Sequence, residues 1–127
     1  MGLTGLVYAY FLYFVPPIDE FSNVASQWQP LWHELHILFA PALIFGIGMI
    51  WLVHAWTKFK NKNSARRRTG IFLLLSAWPM IMSGVIIQVV TEPAASGFWK
   101  SVHLWTSIFW LIGYGLHLVS RKTALSP

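Results

Sequence analysis

The sequence contains no cysteine and few charged residues, and each absence excludes whole classes of protein. Without cysteine there are no disulfide bonds, no iron–sulfur clusters, no zinc–thiolate sites and no Cys-x-x-Cys-His attachment of c-type haem. Charged residues make up 10% of the 127 residues and hydrophobic residues 56%, which leaves too little polar surface to cover a water-soluble globule. The chain is therefore expected in a lipid bilayer, and any metal or haem must be held by histidine.

The hydrophobic residues form four runs, each near the roughly 20 residues that a helix needs to cross a hydrocarbon core. They predict transmembrane helices at about residues 2–15, 31–57, 69–90 and 102–120. The first run is the shortest. No basic residue precedes it and no clear small-x-small cleavage site follows it, which favours an uncleaved helix over a signal peptide. The expected fold is all-α, an integral membrane four-helix bundle that forms a single domain over residues 1–127.

The basic residues predict the orientation of this bundle. In a four-helix arrangement all but one of them fall on one side, which the positive-inside rule assigns to the cytoplasm together with both termini. Lys100 and all the acidic residues fall on the opposite side. The basic clusters lie directly beside hydrophobic runs, so the net charge of +5 indicates membrane orientation and no nucleic-acid partner. The cytoplasmic set comprises Lys58, Lys60, Lys62, Arg66, Arg67, Arg68, Arg121 and Lys122.

Four of the five histidines fall in two matched layers. His36 and His54 are 18 residues apart on predicted helix two, which is five whole α-helical turns and about 27 Å of rise. His103 and His117 are 14 residues apart on predicted helix four, which is about 21 Å of rise with about 40° of drift. Helices two and four run in the same direction across the bilayer. His36 is therefore expected to face His103 near the outer surface, and His54 to face His117 near the inner surface.

Two imidazoles at each of two levels predict two b-type haems held between helices two and four. Polar ligand groups inside a membrane are costly unless they are bound, and neutral imidazole is a suitable axial ligand of haem iron. With both axial positions filled, the expected chemistry is electron transfer. Several glycines near these histidines predict either close approach of haem to the backbone or ordinary small-residue packing between helices. They are Gly46, Gly48, Gly84, Gly113 and Gly115.

The fifth histidine, His33, lies one turn before His36 and about 60° off the face of His54. It is open to four interpretations: it binds a haem propionate, lies beside a quinol head group, replaces His36 as the ligand, or is an interfacial polar residue next to Trp32 and Glu34. These three neighbouring residues are the candidates for a quinone site.

Short motifs around these histidines, over about residues 31–122, resemble those of a known group of proteins. The shared residues are Leu35-His36, Val53-His54, Arg66-Arg67-Arg68-Thr69-Gly70, Ser83-Gly84, Val102-His103, Leu116-His117 and Arg121. In them the chain resembles small four-helix di-haem cytochrome b membrane proteins of bacteria, analogous to the membrane subunits of formate dehydrogenases and nickel–iron hydrogenases. The resemblance implies bis-histidine haem b in the bacterial cytoplasmic membrane and electron exchange with quinone and a periplasmic or membrane redox subunit.

Two departures from that group concern the ligands. The 18-residue spacing of His36 and His54 is longer than in the cytochrome b of respiratory bc complexes, and the dehydrogenase and hydrogenase subunits distribute their ligands over different helices. The chain has no flavin, nucleotide or nucleophile motif, so it is expected to be an electron-transfer subunit of a respiratory oxidoreductase rather than a stand-alone enzyme. The alternatives are a transition metal ion transporter that uses the same histidines and a haem-free anchor subunit.

Overall fold

The fold is all-helical in a computed structural model that describes residues 1–22, 24–60 and 67–123. The helices are α1 (Gly2–Phe14), α2 (Gln29–Leu38), α3 (Ala40–Ile50), a π-helical turn (Trp51–Ala55), α4 (Trp56–Lys60), α5 (Arg67–Val89) and α6 (Pro93–Thr123). No β-strand occurs in these residues, which confirms the all-α prediction. Lys62 and Arg66 of the predicted basic loop lie outside the described residues.

Three helical stretches are long and apolar enough to cross a membrane, namely Gln29–Lys58, Arg68–Val89 and Pro93–Val119. Few of their residues are buried by protein, so apolar side chains cover their outer surfaces. Such surfaces are consistent with a multi-pass membrane protein. Helix α1 has 13 residues and therefore a length of about 20 Å, which is less than the thickness of a hydrocarbon core. A fourth membrane crossing by α1 stays a prediction.

The second predicted helix is divided into segments, and proline accounts for the first division. Pro41 has no backbone N–H, so it cannot donate to the carbonyl of Ile37 one turn earlier. The α-helical pattern is interrupted at Phe39, whose N–H still donates to the carbonyl of Leu35 at 3.1 Å. A second irregularity, the π-helical turn Trp51–Ala55, contains His54. The predicted helix over about residues 31–57 thus corresponds to the helical stretch Gln29–Lys58, with irregularities at these two places.

The last helix begins at Pro93 rather than near residue 102, because Glu92 caps it. The two carboxylate oxygens of Glu92 accept hydrogen bonds from the N–H groups of Ala94 (3.1 Å) and Ala95 (2.6 Å). Proline is favourable at the first helical position, where its missing N–H would have no partner in the helix. A negative charge at this end also complements the helix dipole. The segment that the sequence assigned to a loop thus forms the first turns of α6.

The cap makes the start of α6 dependent on pH. The two N–H donors stabilise the carboxylate and lower the pKa of Glu92 below its ordinary value. The cap is complete above the pKa of the unfolded carboxyl and is lost as the pH falls through the lowered pKa of the folded protein. We expect the amide resonances of Ala94 and Ala95, followed by NMR in detergent micelles, to shift below the ordinary titration range of glutamate. In Glu92→Gln this pH dependence should vanish, and a midpoint at or above the ordinary value would contradict the cap.

The contacts divide the chain into two compact units, residues 1–50 and 51–127. In the first, α1 packs against α2. In the second, a three-residue connection between Val89 and Pro93 makes α5 and α6 an antiparallel hairpin. The hairpin is held at mid-length by Trp110, whose indole N–H donates to the carbonyl of Leu73 at 3.1 Å. Beside this bond the absence of a side chain at Gly113 admits the ring of Phe72. The most completely buried side chain of this hairpin is Ser83.

Candidate functional site

His103 lies on α6 with its imidazole half-buried against α5. Its Nδ1 is 2.9 Å from the carbonyl oxygen of Met80 and 3.2 Å from the hydroxyl of Ser83. A Cβ placed on Gly84 would lie 3.0 Å from the Cε1 atom of this ring. The glycine thus gives the imidazole its space, and the two oxygens determine where Nδ1 points.

His117 is held in the same way at the other end of the hairpin. Its imidazole is half-buried, and Nδ1 is 2.8 Å from the hydroxyl of Thr69. The next residue, Gly70, lies beside the ring, and a Cβ there would be 3.8 Å from Cε1. This is an ordinary van der Waals distance, so the fit is looser than at His103.

His36 has a matching environment in the first unit. Its half-buried ring packs on α1, where Nδ1 is 3.2 Å from the hydroxyl of Thr4. A Cβ on the following residue, Gly5, would lie 2.7 Å from Cε1 of the imidazole, which is the closest approach of the three. Thr4 itself is 8% exposed. The ring of His36 thus has a hydroxyl and a glycine beside it, while its role as a ligand stays a prediction.

The three histidines thus share one arrangement, which we call the hydroxyl–glycine seat: Thr4-Gly5, Thr69-Gly70 and Ser83-Gly84. Sequence reasoning found the last two dipeptides only as part of a resemblance and missed the first. A signal was present, because Thr69 and Ser83 are 14 residues apart, as are His103 and His117. Two equal spacings on antiparallel helices bring both pairs together.

His54 differs from the other three. It lies within the π-helical turn and is exposed. The predicted shared face of His36 and His54 assumed 3.6 residues per turn throughout, whereas this stretch contains an interruption at Phe39 and a wider turn at Trp51–Ala55. The shared face of these two residues therefore stays a prediction, as do the pairings of His36 with His103 and of His54 with His117. Single π-turns occur frequently at functional sites.

His33 is placed apart from the hydroxyl–glycine seats. Its residue is exposed, and its ring lies against Tyr8 with 4.9 Å between centroids and 33° between planes. The adjacent Glu34 is exposed and lines a shallow apolar groove with Leu31 and Leu35 on α2. The interpretations of His33 and the choice between His33 and His36 as ligand stay predictions.

The glycines singled out from the sequence divide into two groups. Gly84 borders the ring of His103, and Gly113 admits Phe72 between α5 and α6, so the small-residue interpretation applies to Gly113. A Cβ on Gly46, Gly48 or Gly115 would meet no atom within 4 Å in the described part of the chain. Close approach of haem to the backbone at these three positions stays a prediction.

The described residues contain no group of three or more histidine, cysteine, aspartate or glutamate side chains that would hold a metal ion. A haem that takes one imidazole on each face needs no such group. No protein-family model, curated protein or solved structure matches the chain.

Proposed function

We propose that this chain is a di-haem b-type cytochrome that transfers electrons across a membrane between quinone and a partner redox protein. The observation that carries the proposal is the set of hydroxyl–glycine seats. Three half-buried imidazoles on apolar helices each have the ring against a glycine and Nδ1 at a hydroxyl. Holding an imidazole by one ring nitrogen is how proteins orient a metal ligand.

The donor set fits haem b. Nδ1 of His36, His103 and His117 lies at hydrogen-bond distance from an oxygen on the neighbouring helix, and we assign Nε2 to iron. The partners of Nδ1 are hydroxyl and carbonyl oxygens, which suit a neutral imidazole. Haem iron with two such ligands exchanges one electron with little ligand rearrangement. The apolar surfaces of the helices keep the histidines in surroundings of low polarity, and burial of this kind is one of the properties by which proteins set redox potential.

The assignment of ligands follows the sequence. His36 and His103 would hold the outer haem, and His54 and His117 the inner haem. The three seated residues are the best supported, while His54 rests on its position in the sequence and in a π-turn. Quinone and a periplasmic or membrane redox subunit remain the proposed electron partners, with both termini in the bacterial cytoplasm. Trp32, His33 and Glu34 remain the proposed contacts of quinone.

The purified full-length protein should show a b-type reduced-minus-oxidised spectrum and, by pyridine haemochrome assay, about two haems per chain. Absence of a b-type signal, or a haem content well below one per chain, would overturn the proposal. If the protein bound no haem but transported transition metal ions across the membrane of metal-loaded proteoliposomes, the transporter alternative would be established. A protein that neither bound haem nor transported metal ions would favour the alternative of a haem-free anchor subunit.

A further inference from the structure

Two of the three hydroxyl–glycine seats determine the protonation of the imidazole as well as the position of its ring. We infer that Thr4 and Ser83 are positioning residues that place the imidazole proton on Nδ1 of His36 and His103 and thereby prepare Nε2 to bind haem iron, and that Thr69 positions the ring of His117. The assignment of Nε2 to iron rests on the proposed function, whereas the location of the proton is a property of the chain alone.

The hydrogen bonds around His103 determine which atom donates. The carbonyl oxygen of Met80 carries no proton, so Nδ1 at 2.9 Å must be the donor. The hydroxyl of Ser83 donates to the carbonyl of Pro79 at 2.6 Å and lies 3.0 Å from that of Met80. Since the hydroxyl proton is used there, its oxygen accepts from Nδ1 at 3.2 Å. A neutral His103 therefore carries its proton on Nδ1 and its lone pair on Nε2.

The same reasoning applies to His36. The hydroxyl of Thr4 donates to the carbonyl of Met1 at 2.9 Å, which leaves its oxygen to accept from Nδ1 at 3.2 Å. Neutral His36 is thereby also fixed with Nε2 as the lone-pair nitrogen. Gly5 brings the backbone of α1 close to the imidazole, so the ring has little freedom to turn away from the hydroxyl.

His117 has the shortest of the three contacts, 2.8 Å between Nδ1 and the hydroxyl of Thr69. The register of α5 against α6 places each hydroxyl beside one histidine, because the two hydroxyl residues and the two histidines are both separated by 14 residues, about 21 Å along a helix. Sliding one helix by a single residue would break both contacts at once. The hairpin thus positions two ligands by one packing arrangement.

A hydroxyl that donates one turn back along its own helix is common, and that bond alone would be purely structural. Ser76 provides the comparison, because it lies on α5 and donates to the carbonyl of Phe72 at 2.7 Å in the same manner. No hydrogen bond to an imidazole is described for Ser76. Ser76→Ala is therefore a matched control for the loss of the hydroxyl itself.

The test compares Thr4→Val and Thr69→Val, which remove the hydroxyl while keeping the shape, with Thr4→Ser and Thr69→Ser, which restore it. We expect each valine variant to bind haem about 10-fold more weakly, as is typical when the hydrogen-bond partner of a metal ligand is lost. Each serine variant should regain the wild-type affinity, and Ser76→Ala should not change it. Ser83→Ala should show a smaller loss, since the carbonyl of Met80 still accepts from His103.

The second readout is the proton itself, measured by ¹⁵N NMR of histidine-labelled full-length protein in detergent micelles without haem. The wild type should show neutral His36 and His103 protonated at Nδ1, and Thr4→Val should shift His36 toward the Nε2-protonated form. Protonation of these imidazoles at Nε2 in the wild type would overturn the inference. This wild-type measurement decides the question even if a valine variant fails to fold. So would unchanged resonances in folded Thr4→Val, or an equal loss of haem in Ser76→Ala. Correct resonances in a protein that takes up no haem would instead overturn the proposed function.

Discussion

We expect His103→Ala to lose one of two haems and to retain the other. Under the proposed function, alanine would remove one of the two imidazoles that hold the outer haem, whereas His117, about 21 Å further along α6, is unaffected. The pyridine haemochrome assay should therefore give about half the wild-type haem per chain, with a b-type spectrum from the remainder. His117→Ala should give the same content with the other haem remaining, recognised by a different midpoint potential.

His33→Ala is the control for this pair. Its ring contacts Tyr8 and takes no part in a hydroxyl–glycine seat, so its replacement should leave the haem content unchanged, whereas His36→Ala should lower it. Loss of haem in His33→Ala with retention in His36→Ala would reverse the assignment of the outer ligand. Loss of both haems in every histidine variant would contradict two independent layers.

Alanine at Gly5 or Gly84 is expected to displace a histidine ring, with the larger effect at Gly5. The new Cβ would lie 2.7 Å from Cε1 of His36 in the first case and 3.0 Å from Cε1 of His103 in the second. Neither ring can yield freely, because a hydrogen bond fixes its Nδ1. Overpacking of this kind costs about 1–3 kcal/mol. The better helix propensity of alanine offsets at most about 1 kcal/mol of it.

The measurements are haem content and thermal unfolding midpoint in detergent, and two other glycines are the controls. Gly70→Ala places a Cβ at 3.8 Å from the ring of His117, and Gly115→Ala meets nothing within 4 Å in the described residues. Both should keep their haem. If these two variants lose as much haem as Gly84→Ala, a clash of the new Cβ with the imidazole is not the cause of the haem loss.

Gly113→Ala separates ring displacement from general loosening of the hairpin. Its Cβ would lie 2.6 Å from Cε1 of Phe72, so we expect a lower unfolding midpoint by disturbed packing of α5 on α6. The imidazole resonances of His103 should remain those of the wild type. Displacement of that ring by a change at Gly113 would mean that hairpin packing alone accounts for the effect at Gly84.

The predicted helix boundaries were accurate where hydrophobic composition decides them and inaccurate where single polar or proline contacts decide them. The third predicted helix, residues 69–90, corresponds to α5 at Arg67–Val89. The fourth begins earlier than predicted because the carboxylate of Glu92 binds two backbone N–H groups. From the sequence, Glu92 and Pro93 were assigned to a short loop, because the hydrophobic runs were divided at charged and proline-rich stretches.

The sequence by itself determined the class of the protein and the identity of its candidate ligands. Composition and run length are local properties, so they sufficed for an all-helical chain with membrane-length apolar helices. The absence of cysteine left histidine as the candidate ligand, and the 14-residue spacing of His103 and His117 put both on one side of a single helix.

Only the tertiary structure decided which residues hold the histidines. The contacts of Thr4 with His36 and of Ser83 with His103 join residues on different helices, and their existence depends on the register in which those helices pack. Register is set by the fit of many side chains, such as Phe72 in the space beside Gly113, and no single local pattern encodes it. The structure likewise shows a hydroxyl at the ring of His36 that the sequence did not reveal, and it shows His54 as an exposed residue of the π-turn, while the ligand role of both stays a proposal.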